Sequence, residues 1–97
     1  MSEPATKKTP CIAVVIPNRN DAAFLPICLE SVLRQSVKPD QIVFVDDQST
    51  DTSVDIARQM LKGFKDVTFI INDTCLGTMG ALNVGLKHVH CEYAMFL

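Results

Sequence analysis

Short apolar runs rich in β-branched residues alternate along this chain with segments of helical period, and this alternation limits the possible folds. The runs cover residues 11–16, 41–45, 67–71 and 93–97. The segments between them place apolar residues three and four positions apart, as on one stripe of a helix. Continuous apolar runs are typical of strands buried on both faces, so the pattern predicts an α/β fold with a doubly wound, mainly parallel sheet, β-α-β-α-β-α-β.

The topology of such a sheet predicts where a ligand would bind. Right-handed crossovers favour the strand order 3-2-1-4, with the switch point between strands 1 and 4. Ligands of doubly wound sheets bind outside the carboxyl ends of the strands at this point. Pro17 is expected to end strand 1, and Pro26 to lie near the start of a helix that begins between Ala22 and Leu25. Gly63 is expected to cap the second helix.

Size and charge limit the organisation and the partners of the chain. With 97 residues it forms one domain or part of one. We expect residues 1–10 to be a disordered leader and residues 11–97 to be the folded part. A net charge of −2 gives no basic field, which argues against nucleic acid as a partner. The polar amino terminus does not resemble a signal peptide, and a cytoplasmic location is expected, or the cytoplasmic face of a membrane for a longer protein.

The cysteines and histidines carry no recognisable metal or redox motif. Cys11, Cys28, Cys75 and Cys91 include no Cys-x-x-Cys pair, so reduced thiols buried as small apolar groups are expected. His88 and His90 are two positions apart near the end of a helix and do not share a face. These histidines are therefore not expected to bind metal, and no metal ligand is predicted in this chain.

The acidic pair Asp46-Asp47 follows the buried second strand. Successive strand residues point to opposite sides, so one aspartate can face a ligand while the other bonds the turn. A carboxylate accepts hydrogen bonds, as from N3–H of uracil, a donor that cytosine lacks. The alternative is a solvated turn, in which Asp51 or Ser49 caps the next helix. The pair alone does not decide between the two interpretations.

Two further segments are predicted to lie near the same crevice. After strand 1, the backbone of Pro17 and Asn18 could bond a nucleotide base and the Arg19 guanidinium could stack on it. The alternative is a plain turn with Asn20 or Asp21 as helix cap.

The second segment is residues 77–85, where glycines and an alanine open a helix and permit close approach of backbone or ligand. It is neither a dinucleotide-binding fingerprint nor a Walker loop, because the spacing and the lysine are absent. For Gly85, close packing of helix on sheet is the preferred explanation.

Five pieces in order carry a resemblance to a known family. They are Val-Val-Ile-Pro-Asn-Arg-Asn from residue 14, Leu-x-x-Cys-Leu-x-Ser-Val-Leu-x-Gln from residue 25, Ile-Val-Phe-Val-Asp-Asp-x-Ser-Thr-Asp from residue 42, Gly-x-x-x-Ala-x-Asn-x-Gly from residue 77 and Tyr-x-x-Phe-Leu from residue 93. Each piece is weak alone, but together over residues 11–97 they resemble family 2 glycosyltransferases, which have the GT-A fold.

The resemblance implies a nucleotide-binding site and an inverting glycosyl transfer. By it, Pro17, Asn18, Arg19 and Asp47 contact the base of a nucleotide sugar, with UDP expected, and Asp46 lies nearby. Gly77 to Ala81 would line the same pocket. Members usually carry an aromatic residue near the position of Arg19, which leaves stacking on the base open, and Asn near the position of Cys75.

The family usually continues into an Asp-x-Asp motif that binds Mn²⁺ or Mg²⁺ with the diphosphate. We therefore expect two or more acidic residues within about five positions after Leu97 in the intact protein. The catalytic base and the glycan, lipid or protein acceptor site would lie beyond as well. No catalytic residue is predicted in this chain, which alone is expected to be inactive and to bind no Mn²⁺ or Mg²⁺. Its last strand would leave a sheet edge open to self-association.

Two other functions remain open from the sequence. A nucleotide-binding module without activity would share these motifs but lack the downstream carboxylates. A phosphoacceptor signalling domain also uses an acidic pair in an α/β sheet. In that class the pair follows strand 1, whereas strand 1 of this chain ends in Pro17-Asn18.

Overall fold

The computed structural model describes residues 10–36 and 38–97, in which strands and helices alternate. The predicted disordered leader lies outside the described residues except for Pro10. The elements are β1 (Ile12–Asn18), α1 (Leu25–Leu33), β2 (Gln41–Asp46), α2 (Ser53–Met60), β3 (Val67–Ile71), α3 (Gly77–Leu86) and β4 (Tyr93–Phe96).

The sheet confirms the predicted topology. Its four strands lie in the order β3-β2-β1-β4, and every neighbouring pair is parallel. The register places Asn18 beside Asp46 and Val15 beside Phe96. The carboxyl ends of β1, β2 and β4 therefore meet at one edge of the sheet.

Pro17 does not end the first strand, contrary to the prediction. β1 continues through Pro17, which pairs with Val45, to Asn18. The main-chain groups of Val15 and Pro17 point to the β4 side, because the Val15 carbonyl accepts from the Leu97 N–H. The N–H that Pro17 lacks would therefore point to the β4 side, and the pairing of β1 with β2 continues to Asn18, whose carbonyl accepts from the Asp47 N–H.

The two faces of the sheet pack against different helices. One face, with Ile16, Ile42 and Phe44, buries Leu29 of α1 and Ala57 of α2 in one cluster. The other face carries Val15, Val43 and Val45, which pack with Ala81 of α3 in a second cluster. Residues of even number in β1 and β2 therefore face α1 and α2, and residues of odd number face α3.

Gly85 has the packing role that the sequence predicts. A Cβ atom at Gly85 would lie 2.5 Å from Cγ1 of Val15 and 3.1 Å from Cγ2 of Val45. The absence of a side chain thus lets α3 approach the sheet closely. Gly63 does not cap α2, contrary to the prediction: the helix ends at Met60 with Leu61 as its C-cap, and Gly63, with a φ of 94°, lies in the turn that follows.

The expectation that all cysteines are reduced is wrong for one pair. Cys11 and Cys91 form a disulfide, with Cα atoms 4.9 Å apart and a sequence separation of 80. The parallel pairing of β1 with β4 brings the starts of these strands together, which no local pattern indicates. Cys28 is partly buried with a free thiol, and burial raises its pKa; Cys75 is free and exposed.

None of the helices in the described part of the chain is long and apolar enough to cross a membrane.

Candidate functional site

Three chain segments form a cleft of about 400 Å³ at the carboxyl edge of the sheet. This volume lies within the roughly 300–1,000 Å³ range of small-molecule sites. Two of these segments, the end of β1 with the turn after it and the start of α3, supply most of the lining residues, and the third is formed by the residues directly after β2 and β4. The cleft is lined by Pro17, Asn18, Arg19, Asp21, Asp47, Gly77, Thr78, Ala81 and Leu97.

Six of the seven residues that the sequence predicts for nucleotide binding line this one cleft. The exception is Asp46, which lines a separate depression with Ser49, Asn72 and Asp73. The alternation of strand residues explains the difference, because Asp46 and Asp47 project from opposite faces of the sheet.

Asp47 is the carboxylate of the cleft, and donors of the loop before α3 surround it. Its Oδ1 accepts from the Leu76 N–H at 2.7 Å and from Nδ2 of Asn72 at 3.0 Å. Its Oδ2 accepts from the Gly77 N–H at 2.8 Å and from the Cys75 thiol at 3.3 Å. The negative charge also lies at the amino terminus of α3, where the helix dipole favours it.

These donors keep Asp47 ionised. The Leu76 N–H, together with Asn72, Cys75 and Gly77, outweighs burial and lowers the pKa of Asp47 to about 2. A carboxylate that stays ionised at neutral pH can accept a further N–H from a ligand. The Cys75 thiol is the weakest of its present donors and is exposed, so it is the partner that a ligand N–H would displace.

Arg19 reaches across the cleft to the same thiol. Its Nη1 donates to the Cys75 sulfur at 3.0 Å, while the rest of the side chain is exposed. Cys75 therefore connects Arg19 to Asp47 through its sulfur. Sequence reasoning gave Cys75 no role, because the loop before Gly77 has no motif that points toward β1.

Asp46 belongs to a buried polar cluster on the α1/α2 face. Its Oδ1 accepts from Nδ2 of Asn18 at 2.8 Å and from the Ser49 hydroxyl at 2.6 Å, and its Oδ2 accepts from the Ser49 N–H at 2.9 Å. The Asn18 amide also donates to the Ser53 hydroxyl at 2.8 Å. Both Asn18 and Asp46 are almost fully buried. The cluster fixes the end of β1 against the turn before α2.

The turns after β1 and β2 are tied together at the surface as well. Asn20 has a φ of 54°, a left-handed conformation that asparagine tolerates. Its Oδ1 accepts from the Thr50 N–H at 2.7 Å, and its own N–H donates to the Ser49 hydroxyl at 2.8 Å. Asp51 accepts from the Ser53 hydroxyl and N–H, which lowers the pKa of Asp51. The predicted helix caps are not the caps observed, since the N-caps of α1 and α2 are Phe24 and Thr52 without side-chain cap bonds. The side chains of Asn20 and Asp51 instead join the two turns.

Solved structures with the same fold are glycosyltransferases of the GT-A type. The mannosyltransferase PcManGT from Pyrobaculum calidifontis, in complex with GDP-Man and Mn²⁺, superposes with a TM-score of 0.79 at 26% identity, covering 93% of this chain and 27% of that one. TarS of S. aureus superposes with a TM-score of 0.81 at 26% identity, covering 90% of this chain and 16% of that one.

The family model of glycosyl transferase family 2 matches residues 13–97, and the chain belongs to this family. A PGL/p-HBAD biosynthesis glycosyltransferase of Mycobacterium bovis is 35% identical over 88 residues, 91% of this chain and 34% of that protein. The poly(ribitol-phosphate) beta-glucosyltransferase of Bacillus spizizenii is 35% identical over 89 residues, 89% of this chain and 14% of that protein. The chain thus spans about a third or less of these relatives.

Proposed function

We propose that the chain forms the nucleotide-binding part of an inverting glycosyltransferase that uses a UDP-sugar as donor and acts in the cytoplasm. The observation that carries this proposal is the cleft, in which residues after β1 and β2 converge with the start of α3. Family membership supports glycosyl transfer as the reaction class. The identity of the base is inferred from the chemistry of the cleft.

The Asp47 carboxylate selects bases that present a ring N–H. Uracil offers N3–H and guanine offers N1–H, whereas cytosine has no ring N–H to give. Arg19 lies at the mouth of the cleft, where its planar guanidinium can cover the face of a base. PcManGT is complexed with GDP-Man, so guanine is the competitor against which the uracil preference has to be tested.

The diphosphate of the donor is expected to need a divalent cation, Mn²⁺ or Mg²⁺, in the intact protein. Asp47 already has four donors, and Asp21 is the other carboxylate that lines the cleft. One exposed carboxylate is a poor fit for a hard cation that prefers several oxygen ligands. Leu97 lines the cleft, so residues that follow it would enter at the right place to complete a metal site.

The proposal is tested by titrating the chain with UDP, GDP and CDP in a calorimeter, with and without Mn²⁺. We expect UDP to bind most tightly, CDP to bind at least tenfold more weakly, and Mn²⁺ to change these affinities little. Equal affinity for UDP and CDP would contradict base selection by Asp47. A GDP preference would retain the carboxylate contact but replace the donor with a GDP-sugar.

Transfer itself requires the acceptor half, so the chain alone is expected to be inactive. Sugar transfer above background by the purified chain would contradict this expectation.

The exposed side of β4, with Tyr93, Met95 and Phe96 each more than half exposed, is expected to promote self-association at high concentration. Size-exclusion chromatography over a concentration series measures it.

A further inference from the structure

The end of the sheet opposite the cleft carries a group of metal-ligating side chains. Cys11, His90 and Cys91 each offer one ligand atom, and these atoms all lie within 4.8 Å of one another. Cys11 precedes β1, and the other two precede β4. The sequence predicts no metal site here because the residues are 80 positions apart.

We propose that Cys11, His90 and Cys91, with the two cysteines reduced, bind one Zn²⁺ ion at this end of the sheet. Two thiolates and an imidazole are ligands that Zn²⁺ prefers. With Zn–S distances of about 2.3 Å, a tetrahedral site holds its sulfurs somewhat under 4 Å apart. The two sulfurs are bonded to each other in this structure, so the grouping with His90 is that of the oxidised chain. Once the disulfide is reduced, the Cα separation of 4.9 Å allows side-chain rotation to set the two sulfurs at this spacing.

His90 already has the partner that orients a zinc-bound histidine. Its Nε2 lies 2.7 Å from Oδ2 of Asp66. Zinc-binding histidines commonly give their other ring nitrogen to a carboxylate, which fixes the ring and increases its basicity. Because Asp66 holds Nε2, Nδ1 is the nitrogen left for the metal.

The backbone around the site is fixed by contacts that do not involve the ligand atoms. The buried Gln41 side chain donates to the His88 carbonyl at 2.8 Å and accepts from the His90 N–H at 3.1 Å. The Tyr93 N–H donates to the Cys11 carbonyl at 3.2 Å. A ligand set held this way loses little conformational freedom on binding the metal.

Glu92 is the acidic side chain hydrogen-bonded to the backbone of this group. Its Oε1 accepts from the Cys11 N–H at 3.2 Å, although its carboxylate is not one of the grouped ligand atoms. A site of two thiolates and one imidazole has three protein ligands, so water or a carboxylate would complete the tetrahedral coordination of Zn²⁺. It would join β1 to β4 in place of the disulfide.

Metal binding and the disulfide exclude each other, because both use the same sulfur atoms. A thiol or phosphine reductant supplies two electrons, and with two protons from solvent the S–S bond becomes two thiols. On binding Zn²⁺ each thiol releases its proton to solvent, and each sulfur donates an electron pair to the ion. The pair thus has an oxidised covalent state and a reduced metal-bound state.

The test uses the 97-residue chain, reduced with a phosphine and kept without oxygen. Co²⁺ is added first, since its tetrahedral thiolate complexes absorb visible light, and Zn²⁺ is then titrated in competition. We expect one Co²⁺ per chain, displaced by Zn²⁺, and no binding by the oxidised chain. Asp66→Asn should weaken Zn²⁺ binding by about 10- to 100-fold, and His90→Ala and Cys91→Ser by more.

His88→Ala and Cys75→Ser are the matched controls, since these residues lie outside the group and should leave the affinity within about twofold. Equal affinities for His90→Ala and His88→Ala would overturn the proposal, as would binding that survives oxidation or Cys91→Ser. Circular dichroism of each reduced chain before metal is added shows whether it is folded. If reduction unfolds the chain, recovery of the signal on adding Zn²⁺ supports the site, and no recovery overturns it.

Discussion

The two adjacent aspartates at the end of β2 belong to regions with different roles. Asp46 lies in a polar cluster in which its oxygens accept from the buried Asn18 amide and from the partly buried Ser49. Asp47 holds a loop at the rim of the cleft through backbone N–H groups and one exposed thiol. The same residue type thus stabilises the fold at one position and faces the proposed ligand at the next, because the side of the strand decides its neighbours.

The largest expected effect is a loss of stability when the Asp46 cluster is disrupted. Asp46→Ala removes the carboxylate that accepts from the Asn18 amide, the Ser49 N–H and the Ser49 hydroxyl, and each hydrogen bond to a carboxylate contributes roughly 1.5–3 kcal/mol. The free energy of unfolding in urea should fall by about 3 kcal/mol or more. Asp73→Ala, which removes an exposed carboxylate, should change it by less than about 0.5 kcal/mol. Similar values for the two variants would show that the Asp46 cluster does not stabilise the fold.

The close packing of α3 on the sheet, which positions the helix start held by Asp47, is tested by Gly85→Ala. The added methyl group would meet the side chains of Val15 and Val45, and overpacking of this kind costs about 1–3 kcal/mol. The helix start that Asp47 holds should shift too, so UDP affinity should fall along with the urea midpoint. Asn83→Ala, on the exposed face of α3, should be nearly neutral. A Gly85→Ala variant as stable as Asn83→Ala would mean that α3 has room to move.

The pH dependence of stability tests how tightly Asp47 is bonded. Folding lowers the pKa of Asp47 from the ordinary 3.8 to about 2. A carboxyl with a lowered pKa stabilises the fold above its unfolded pKa and loses this contribution as pH falls through its folded pKa. The difference in unfolding free energy between wild type and Asp47→Asn should therefore be constant above about pH 5 and shrink toward about pH 2. A difference that does not vary with pH would contradict the tight bonding of Asp47.

The smallest expected effect concerns Cys75. A bound base should displace the Cys75 thiol from Asp47. UDP should therefore change the rate at which iodoacetamide alkylates Cys75, while CDP should leave this rate unchanged. Cys75→Ala removes the weakest donor of Asp47 and should change UDP affinity by about threefold at most, since a thiol is a weak donor. Alkylation that UDP leaves unaffected at saturating concentration would place the base elsewhere. Cys28, which is partly buried, serves as the internal reference thiol.

The sequence predicted the elements and the strand order because each strand and helix is encoded by a local pattern. That the residues after β1 and β2 line one cleft was also predictable, since the topology of a doubly wound sheet brings strand ends together. The continuation of β1 through Pro17 was missed, because whether a missing N–H matters depends on which neighbouring strand it would face.

Contacts between distant segments set the rest of the site. The donors of Asp47 come from residues 25 to 30 positions away, and nothing in the spacing of Asn72, Leu76 and Gly77 indicates that they converge on one carboxylate. The pairing of Cys11 with Cys91 depends in the same way on the β1–β4 register. Local sequence places residues at a sheet end, but packing decides which of them meet.

The most direct test of the division between the two aspartates is calorimetry of UDP binding to wild type, Asp47→Ala and Asp46→Asn, each confirmed as folded by circular dichroism. Losing a hydrogen bond to a charged group costs roughly 1.5–3 kcal/mol. Asp47→Ala should therefore weaken UDP binding by about tenfold to a hundredfold, whereas the folded fraction of Asp46→Asn should bind within about threefold of wild type. Normal binding by Asp47→Ala together with lost binding by folded Asp46→Asn would contradict the account and reverse the roles of the two residues.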